Sequence, residues 1–224
     1  MKYKAATIKD IAQALHLATS TVSRALRDSH EISAATKQLV LEHATRLNYH
    51  PNPIALSLKE KKSRSIGVIV SEIANSFFSQ TINGIESVAN EKGYTVIISQ
   101  SHESFEKEER ALQYLASRSI DGLLISVSSS TNDLTQLKAL HQYGFPMVFF
   151  DRIIEDIPTH KVMVDNFQGA YNATMHLLNR GYKHIACITN SAHLSITRER
   201  VAGYKAALEK NGIPSLPSLI KYCF

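Results

Sequence analysis

Residues 7–27 read Thr-Ile-Lys-Asp-Ile-Ala-Gln-Ala-Leu-His-Leu-Ala-Thr-Ser-Thr-Val-Ser-Arg-Ala-Leu-Arg, a stretch that encodes two short helices joined by a tight turn. Thr7 and Asp10 form a Thr-x-x-Asp start, in which the hydroxyl caps the first turn and the carboxylate favours its positive end. Ile8, Ile11, Ala12 and Leu15 follow at helical spacing. The pattern breaks at His16-Leu17-Ala18. A second helix from about Thr19 to Arg27 turns Val22, Ala25 and Leu26 inward. Further out lies a polar loop, Asp28-Ser29-His30-Glu31. Ser33 then caps a third helix through about Asn48, with Leu39, Val40, His43, Ala44 and Leu47 as its apolar stripe.

A helix-turn-helix offers small polar and basic side chains from its second helix to the DNA major groove. Thr19-Ser20-Thr21-Val22-Ser23-Arg24 fits that need. Val22 anchors the helix, Thr19, Ser20 and Arg24 reach for base edges, and Thr21 and Ser23 face phosphates. A bidentate bond from Arg24 to guanine is worth about 1–3 kcal/mol of discrimination. Taken alone, the six residues read better as an ordinary solvated helix.

Charge is unevenly spread. Residues 1–65 hold 11 Lys+Arg against 5 Asp+Glu, a net +6, whereas the remainder holds 14 against 15, a net −1. A basic N-terminal unit beside a near-neutral body is the footprint of a nucleic-acid reader, or else a solvated basic surface. Pro51 and Pro53 interrupt the helical pattern. Pro53 suits a first helical turn, which allows a short helix at 54–58. Lys59-Glu60-Lys61-Lys62-Ser63-Arg64-Ser65 then reads as a linker.

Beyond residue 65, apolar strands alternate with amphipathic helices. Strands are expected at 66–70, 95–99, 122–126, 147–150, 161–164 and 184–188. Helices are expected at about 77–92, 105–118, 133–143, 167–180 and 197–211, with Gly93, Gly144, Gly181 and Gly212 as stops. Such alternation predicts parallel sheets covered by helices on both faces, with ligands at the carboxyl ends of the strands.

Three motifs, Thr7-Ile8-Lys9-Asp10-Ile11-Ala12, Thr21-Val22-Ser23-Arg24-Ala25-Leu26 and Leu47-Asn48-Tyr49-His50-Pro51-Asn52, occur in order. Together they resemble the lactose/galactose repressor family of bacterial transcription regulators. The resemblance is specific over residues 6–70 and looser beyond. It implies an all-α helix-turn-helix domain (1–50) and a hinge helix and linker (51–64). It also implies a periplasmic-binding-protein-like α/β sensor with an N-subdomain (65–158) and a partial C-subdomain (159–224). DNA contacts are implied for Thr7, Thr19, Ser20, Thr21, Ser23, Arg24, Ser33, Thr36, Tyr49, Asn52, Ala55 and Leu58. Paired hinges would enter the minor groove, with Leu58 wedged into a base step; otherwise Leu58 is a core leucine. Ala18 stands where the family usually has a capping serine, and His16 where it often has glycine or asparagine.

Ser71-Glu72-Ile73-Ala74-Asn75-Ser76-Phe77-Phe78 resembles the family's cleft loop, with Ser76 in place of proline. The effector set implied is Asn75, Phe77, Phe78, Asp151, Asp165 and Arg200. Phe77 and Phe78 could instead be core, and the charged residues an internal ion-pair network. The expected partners are a near-palindromic operator, a small-molecule effector (carbohydrate first, nucleobase second) and a second copy of the complete chain. A sugar receptor without a DNA role is the alternative. Roughly the last third of a family member is expected to be missing, which would leave sheet edges and apolar faces exposed.

Catalytic, metal and cofactor signals are weak. Ser104-Phe105-Glu106-Lys107 matches Ser-x-x-Lys by chance at a helix start, no glycine-rich phosphate loop occurs, and the histidines are scattered. No membrane span or secretory leader is read, and Cys187 and Cys223 suggest no disulfide framework. A reducing cytoplasm, at the nucleoid, is the expected location.

Overall fold

The computed structural model describes residues 6–51 and 62–223. Asn52, Ala55 and Leu58, and with them the helix expected at 54–58, lie outside the described residues. The chain divides between Ser63 and Arg64 into two compact units.

The first unit holds three helices, α1 (Ile8–Ala14), α2 (Thr19–Ala25) and α3 (Ala34–Arg46). At α1 both halves of the capping box form: the Asp10 amide donates to the Thr7 hydroxyl, and the Thr7 amide donates to the Asp10 carboxylate at 2.7 Å. Ser33 caps α3 by accepting from the Thr36 amide at 3.2 Å. At α2 the N-cap is Ala18, and no side chain bonds the first turn. Ile11, Val22 and Val40 are fully buried, with Ala12, Ala25 and Ala44 as small residues between them. The expected stripe on α3 is narrower than its leucines suggest. Leu39 is 49% and Leu47 38% exposed, because Val40 and Ala44 alone, four residues apart, fill the space facing α1 and α2. His16, Asp28 and Asn48, just past the three helices, have φ of 54°, 56° and 47°. That is a left-handed conformation, which asparagine and aspartate enter more readily than most L residues.

In the second unit, β1 (Ser65–Val70), β2 (Thr95–Gln100), β3 (Gly122–Ile125), β4 (Met147–Phe150) and β5 (His160–Val162) form one parallel sheet in the order β2-β1-β3-β4-β5. Helices α4 (Ser76–Glu91), α5 (Phe105–Ser117) and α6 (Thr135–Gln142) make the crossovers. Val68, Val70 and Phe150 pack with Phe78 and Ile82 of α4, whereas Ile69, Leu123, Ile125 and Phe149 pack with Leu112 and Leu115 of α5 and Leu137 of α6. Apolar residues on both faces are what a doubly covered parallel sheet needs.

A smaller layer follows. Helix α7 (Asn166–Asn179), strand β6 (Cys187–Thr189), helix α8 (Ser195–Lys210) and strand β7 (Ile220–Tyr222) surround a core of Ile185, Tyr204 and Leu208, with β6 and β7 parallel. The expected boundary at 159 is corrected: β5 pairs with β4 through His160–Val148, Lys161–Phe149 and Val162–Phe150. It is an edge strand of the first sheet, so the chain leaves that sheet only after Val162. Strand β6 begins later than expected, at Cys187, because its partner β7 begins only at Ile220, and the Ile185 carbonyl just before it accepts the Tyr204 hydroxyl at 2.7 Å. On its other side this layer is bare, with Ile188 74% exposed. No helix among the described residues is long and apolar enough to cross a membrane.

Helices α7 and α8 meet backbone to backbone. A Cβ placed on Gly203 would lie 2.2 Å from the Phe167 carbonyl oxygen, whereas one on Gly84 of α4 would meet nothing within 4 Å. Gly203→Ala should therefore destabilise the chain by about 2 kcal/mol or more through forced separation of the helices. Gly84→Ala should stabilise it by up to ~1 kcal/mol through helix propensity. Urea unfolding of the two variants checks the opposed signs.

Candidate functional site

Two groups of residues are candidates, one in each unit. In the first, burial of Val22 and Ala25 fixes the rotation of α2. Thr19, Ser20 and Arg24 are left exposed and Thr21 and Ser23 half-buried on its flanks. The side chains expected at base edges therefore share the outer face. Arg24 is not idle: its Nη1 donates to Glu31 Oε2 at 2.8 Å. Thr7 spends its hydroxyl on Asp10 at 2.8 Å, and Ser33 bonds Thr36 at 2.9 Å. The ring of Tyr49 packs against the three-helix core, and burial pushes its phenol up. It meets any partner as a neutral hydroxyl.

In the second unit the carboxyl ends of β1 to β4 bring their loops to one edge. Asn75 caps α4 by accepting from the Phe77 amide at 2.9 Å. Phe77 is 45% exposed, while Phe78 is 4% exposed and sits in the core edge-to-face against Phe150. The expectation for Phe78 is thus corrected: a one-residue step on a helix rotates its ring into the sheet, and only Phe77 can stack on a ligand. Asp151 follows β4 with φ 58°, a twist that turns it out of the strand direction. Burial raises its carboxyl above the ordinary carboxylate range, against the pull of Arg152 and Arg200. Arg200 of α8 donates from Nε to Asn166 of α7 at 2.9 Å. Asp165 caps α7 by accepting from the Gln168 amide at 2.8 Å. Asp151, Arg200 and Asn166 thus form a polar group between the two layers, with Asp165 beside Asn166 in the chain.

A buried polar network was not singled out from sequence. Arg152 donates from Nη1 to both oxygens of Glu103 at 2.7 Å, and the Ser129 amide donates to the same carboxylate at 2.7 Å. Burial opposes the charge on Glu103, but Ser129 and Arg152 outweigh it and hold the group below its ordinary range. Neighbouring Glu108 is 3% exposed and accepts from the Ser128 amide at 2.5 Å and the Thr131 hydroxyl at 2.7 Å. There burial wins, and its carboxyl is raised. The network ties together the loops after β2, β3 and β4. The sequence held one signal for it, the run Ser126-Val127-Ser128-Ser129-Ser130-Thr131 directly after a strand. Its partner acid, Glu103, is 49 residues from Arg152. Among the described residues, no three His, Cys, Asp or Glu side chains group as a metal site would require.

Comparison with known proteins bears on both groups. Residues 63–222 match the family described as periplasmic binding proteins and sugar binding domain of the LacI family, and residues 7–52 match bacterial regulatory proteins of the lacI family. The chain is 34% identical over 215 residues to the HTH-type transcriptional repressor PurR of Vibrio atlanticus (strain LGP32), covering 96% of this chain and 64% of that one. It is 35% identical over 202 residues to PurR of Aliivibrio fischeri (strain ES114), covering 90% and 60%. It is also similar to the lac repressor dimer bound to operator and the anti-inducer ONPF, with a TM-score of 0.81 at 26% identity over 98% of this chain and 65% of that one. The transcriptional regulator CelR in complex with cellobiose gives 0.63 at 26% identity, covering 97% and 65%. The chain therefore spans less than two thirds of the length of these relatives.

The raised carboxyl of Asp151 has a measurable consequence. The unfolded group titrates near 3.8, whereas the folded one holds its proton to higher pH. The folded state then binds more protons in that window, and stability falls as pH rises from about the ordinary value through the raised one. Asp151→Asn keeps the left-handed backbone accessible and removes the buried charge. The variant should be more stable than the parent at pH 7, and the gap should close as pH falls below the ordinary carboxylate value. Thermal melts of both chains across pH check this.

Proposed function

The chain belongs to the LacI family of bacterial regulatory proteins, and on that premise we propose that it is a transcription regulator, acting as a repressor. Its first unit reads operator DNA, and its second unit answers to a small molecule. The observation that carries the reading is the rotation of α2: Val22 and Ala25 are buried while Thr19, Ser20 and Arg24 stand together on the open face. Thr19, Ser20 and Arg24 contact base edges, Thr21, Ser23, Ser33, Thr36 and Thr7 the phosphates, and Tyr49 the sugar-phosphate backbone. Asn52, Ala55 and Leu58 are carried forward as hinge contacts from the family resemblance alone. The operator is near-palindromic, because a two-fold dimer reads two half-sites.

The effector we propose is a carbohydrate. Asp151, Arg200, Asn166 and Asn75 supply directional donors and acceptors for hydroxyls, and the exposed face of Phe77 suits the apolar side of a sugar ring. The solved CelR complex with cellobiose is a precedent in a similar chain. Ligand binding alters DNA affinity by favouring one arrangement of the sensor over another, a coupling free energy between two sites.

The test is selection of the full chain against random duplexes, followed by salt titration. Enrichment of a two-fold site and an affinity that falls by about 0.9 log unit per phosphate contact for each log unit of salt are expected. No enrichment at any salt overturns the reading. Arg24→Ala should lose about 1–3 kcal/mol of preference at one guanine per half-site. In a thermal-shift screen of neutral mono- and disaccharides beside purine bases, sugars should raise the melting temperature, as any ligand specific for the folded state does. Arg200→Ala should abolish that shift; a shift from purine bases alone would overturn the carbohydrate assignment.

A further inference from the structure

We infer that Glu31 is a specificity-determining residue for DNA recognition: it holds the Arg24 guanidinium ready for guanine and penalises contact with unspecific phosphate backbone. The inference rests on the DNA-reading role proposed for α2. Arg24 and Glu31 are 2.8 Å apart with side chains 51% and 52% exposed. A solvent-exposed pair of this kind contributes little to folding, so the contact has no strong structural reason to exist. Its position is nevertheless fixed. The Ser29 amide donates to the Arg24 carbonyl at 3.1 Å, closing the end of α2. Lys37 Nζ clamps the same turn, 2.7 Å from Asp28 Oδ1 and 3.4 Å from its carbonyl. Ile32, next to Glu31, packs against the three-helix core.

Only Nη1 of Arg24 is engaged by Glu31. The edge formed by Nε and Nη2 stays free to meet the two acceptors, O6 and N7, that guanine shows in the major groove. A fork already held at one nitrogen loses less side-chain freedom when it docks. The same carboxylate is repelled by phosphate. At a guanine, the oriented bidentate bond offsets that repulsion. Elsewhere nothing does, so random duplex is bound more weakly than the basic surface alone would bind it. Glu31 therefore trades total affinity for discrimination.

The experiment compares the full chain with Glu31→Gln, Glu31→Asp and Arg24→Ala, and with the double variant Arg24→Ala/Glu31→Gln. Each is measured on the selected operator, on the operator with the contacted guanine replaced, and on random duplex. The expected result is a loss of guanine preference of at least about 5-fold in Glu31→Gln, with tighter binding to random duplex. Glu31→Asp should retain part of the preference, and Glu31→Gln should cause no further loss in the Arg24→Ala background. Unchanged guanine preference in Glu31→Gln overturns the inference, and so does an equal effect with and without Arg24. If the parent chain enriches no sequence, the DNA-reading role itself falls, an outcome distinct from either of these.

Discussion

Parallel strands all finish at the same edge, and that constraint organises the larger unit. With the order β2-β1-β3-β4-β5, the loops holding Asn75, Glu103, Ser126 to Thr131 and Asp151 emerge side by side although they are scattered along the chain. The crossovers that link β1 through β4 return through helices, so α4, α5 and α6 cover the faces and leave that edge and its opposite open to polar chemistry. Buried acids become tolerable there because backbone amides at the loop starts supply donors, as Ser128 and Ser129 do for Glu108 and Glu103. The site is a product of strand direction before it is a product of any residue.

Local chemistry was the legible part of this chain. Thr7 with Asp10 and Ser33 with Thr36 announce helix starts through interactions three residues long, and the structure shows both. Gly93, Gly144, Gly181 and Gly212 mark helix ends because each takes a positive φ that glycine alone adopts without strain. What sequence could not tell is equally specific. Periodicity places a strand near 160 but cannot say which sheet takes it, and pairing with β4 decides that. Of two adjacent phenylalanines, a rotation of about 100° per residue sends Phe78 to the core and Phe77 to solvent. The Glu103–Arg152 pair joins positions whose separation carries no local signal. Leu39 and Leu47 look like core residues until the small size of the first unit is taken into account.

Charge is managed differently in the two units. In the three-helix unit, Asp28 and Glu31 sit in the turn after α2 and pair with Lys37 of α3 and Arg24 of α2, so the positive segment is locally tempered there. In the sheet unit, acids are buried beside arginines, and burial and pairing compete at each one. Glu103 resolves in favour of charge and Glu108 and Asp151 against it. Neighbouring carboxyls at one edge are thus pulled in opposite directions, Glu108 and Asp151 upward by burial and Glu103 downward by the Ser129 amide and the Arg152 guanidinium.

The close approach at Gly203 has a mechanical meaning. Arg200 and Asn166 lie on two helices whose backbones touch near these residues, so neither can slide without prising the other away. Close-packed interiors yield little to compression. The two side chains, joined by their 2.9 Å hydrogen bond, accordingly behave as one fixed jaw of a calliper, its stiffness set by the close contact at a glycine. Whatever fits between them and the sheet edge is gauged by a stiff part of the molecule. Any give in that space falls to the short connection after Val162, where the chain leaves the sheet for α7.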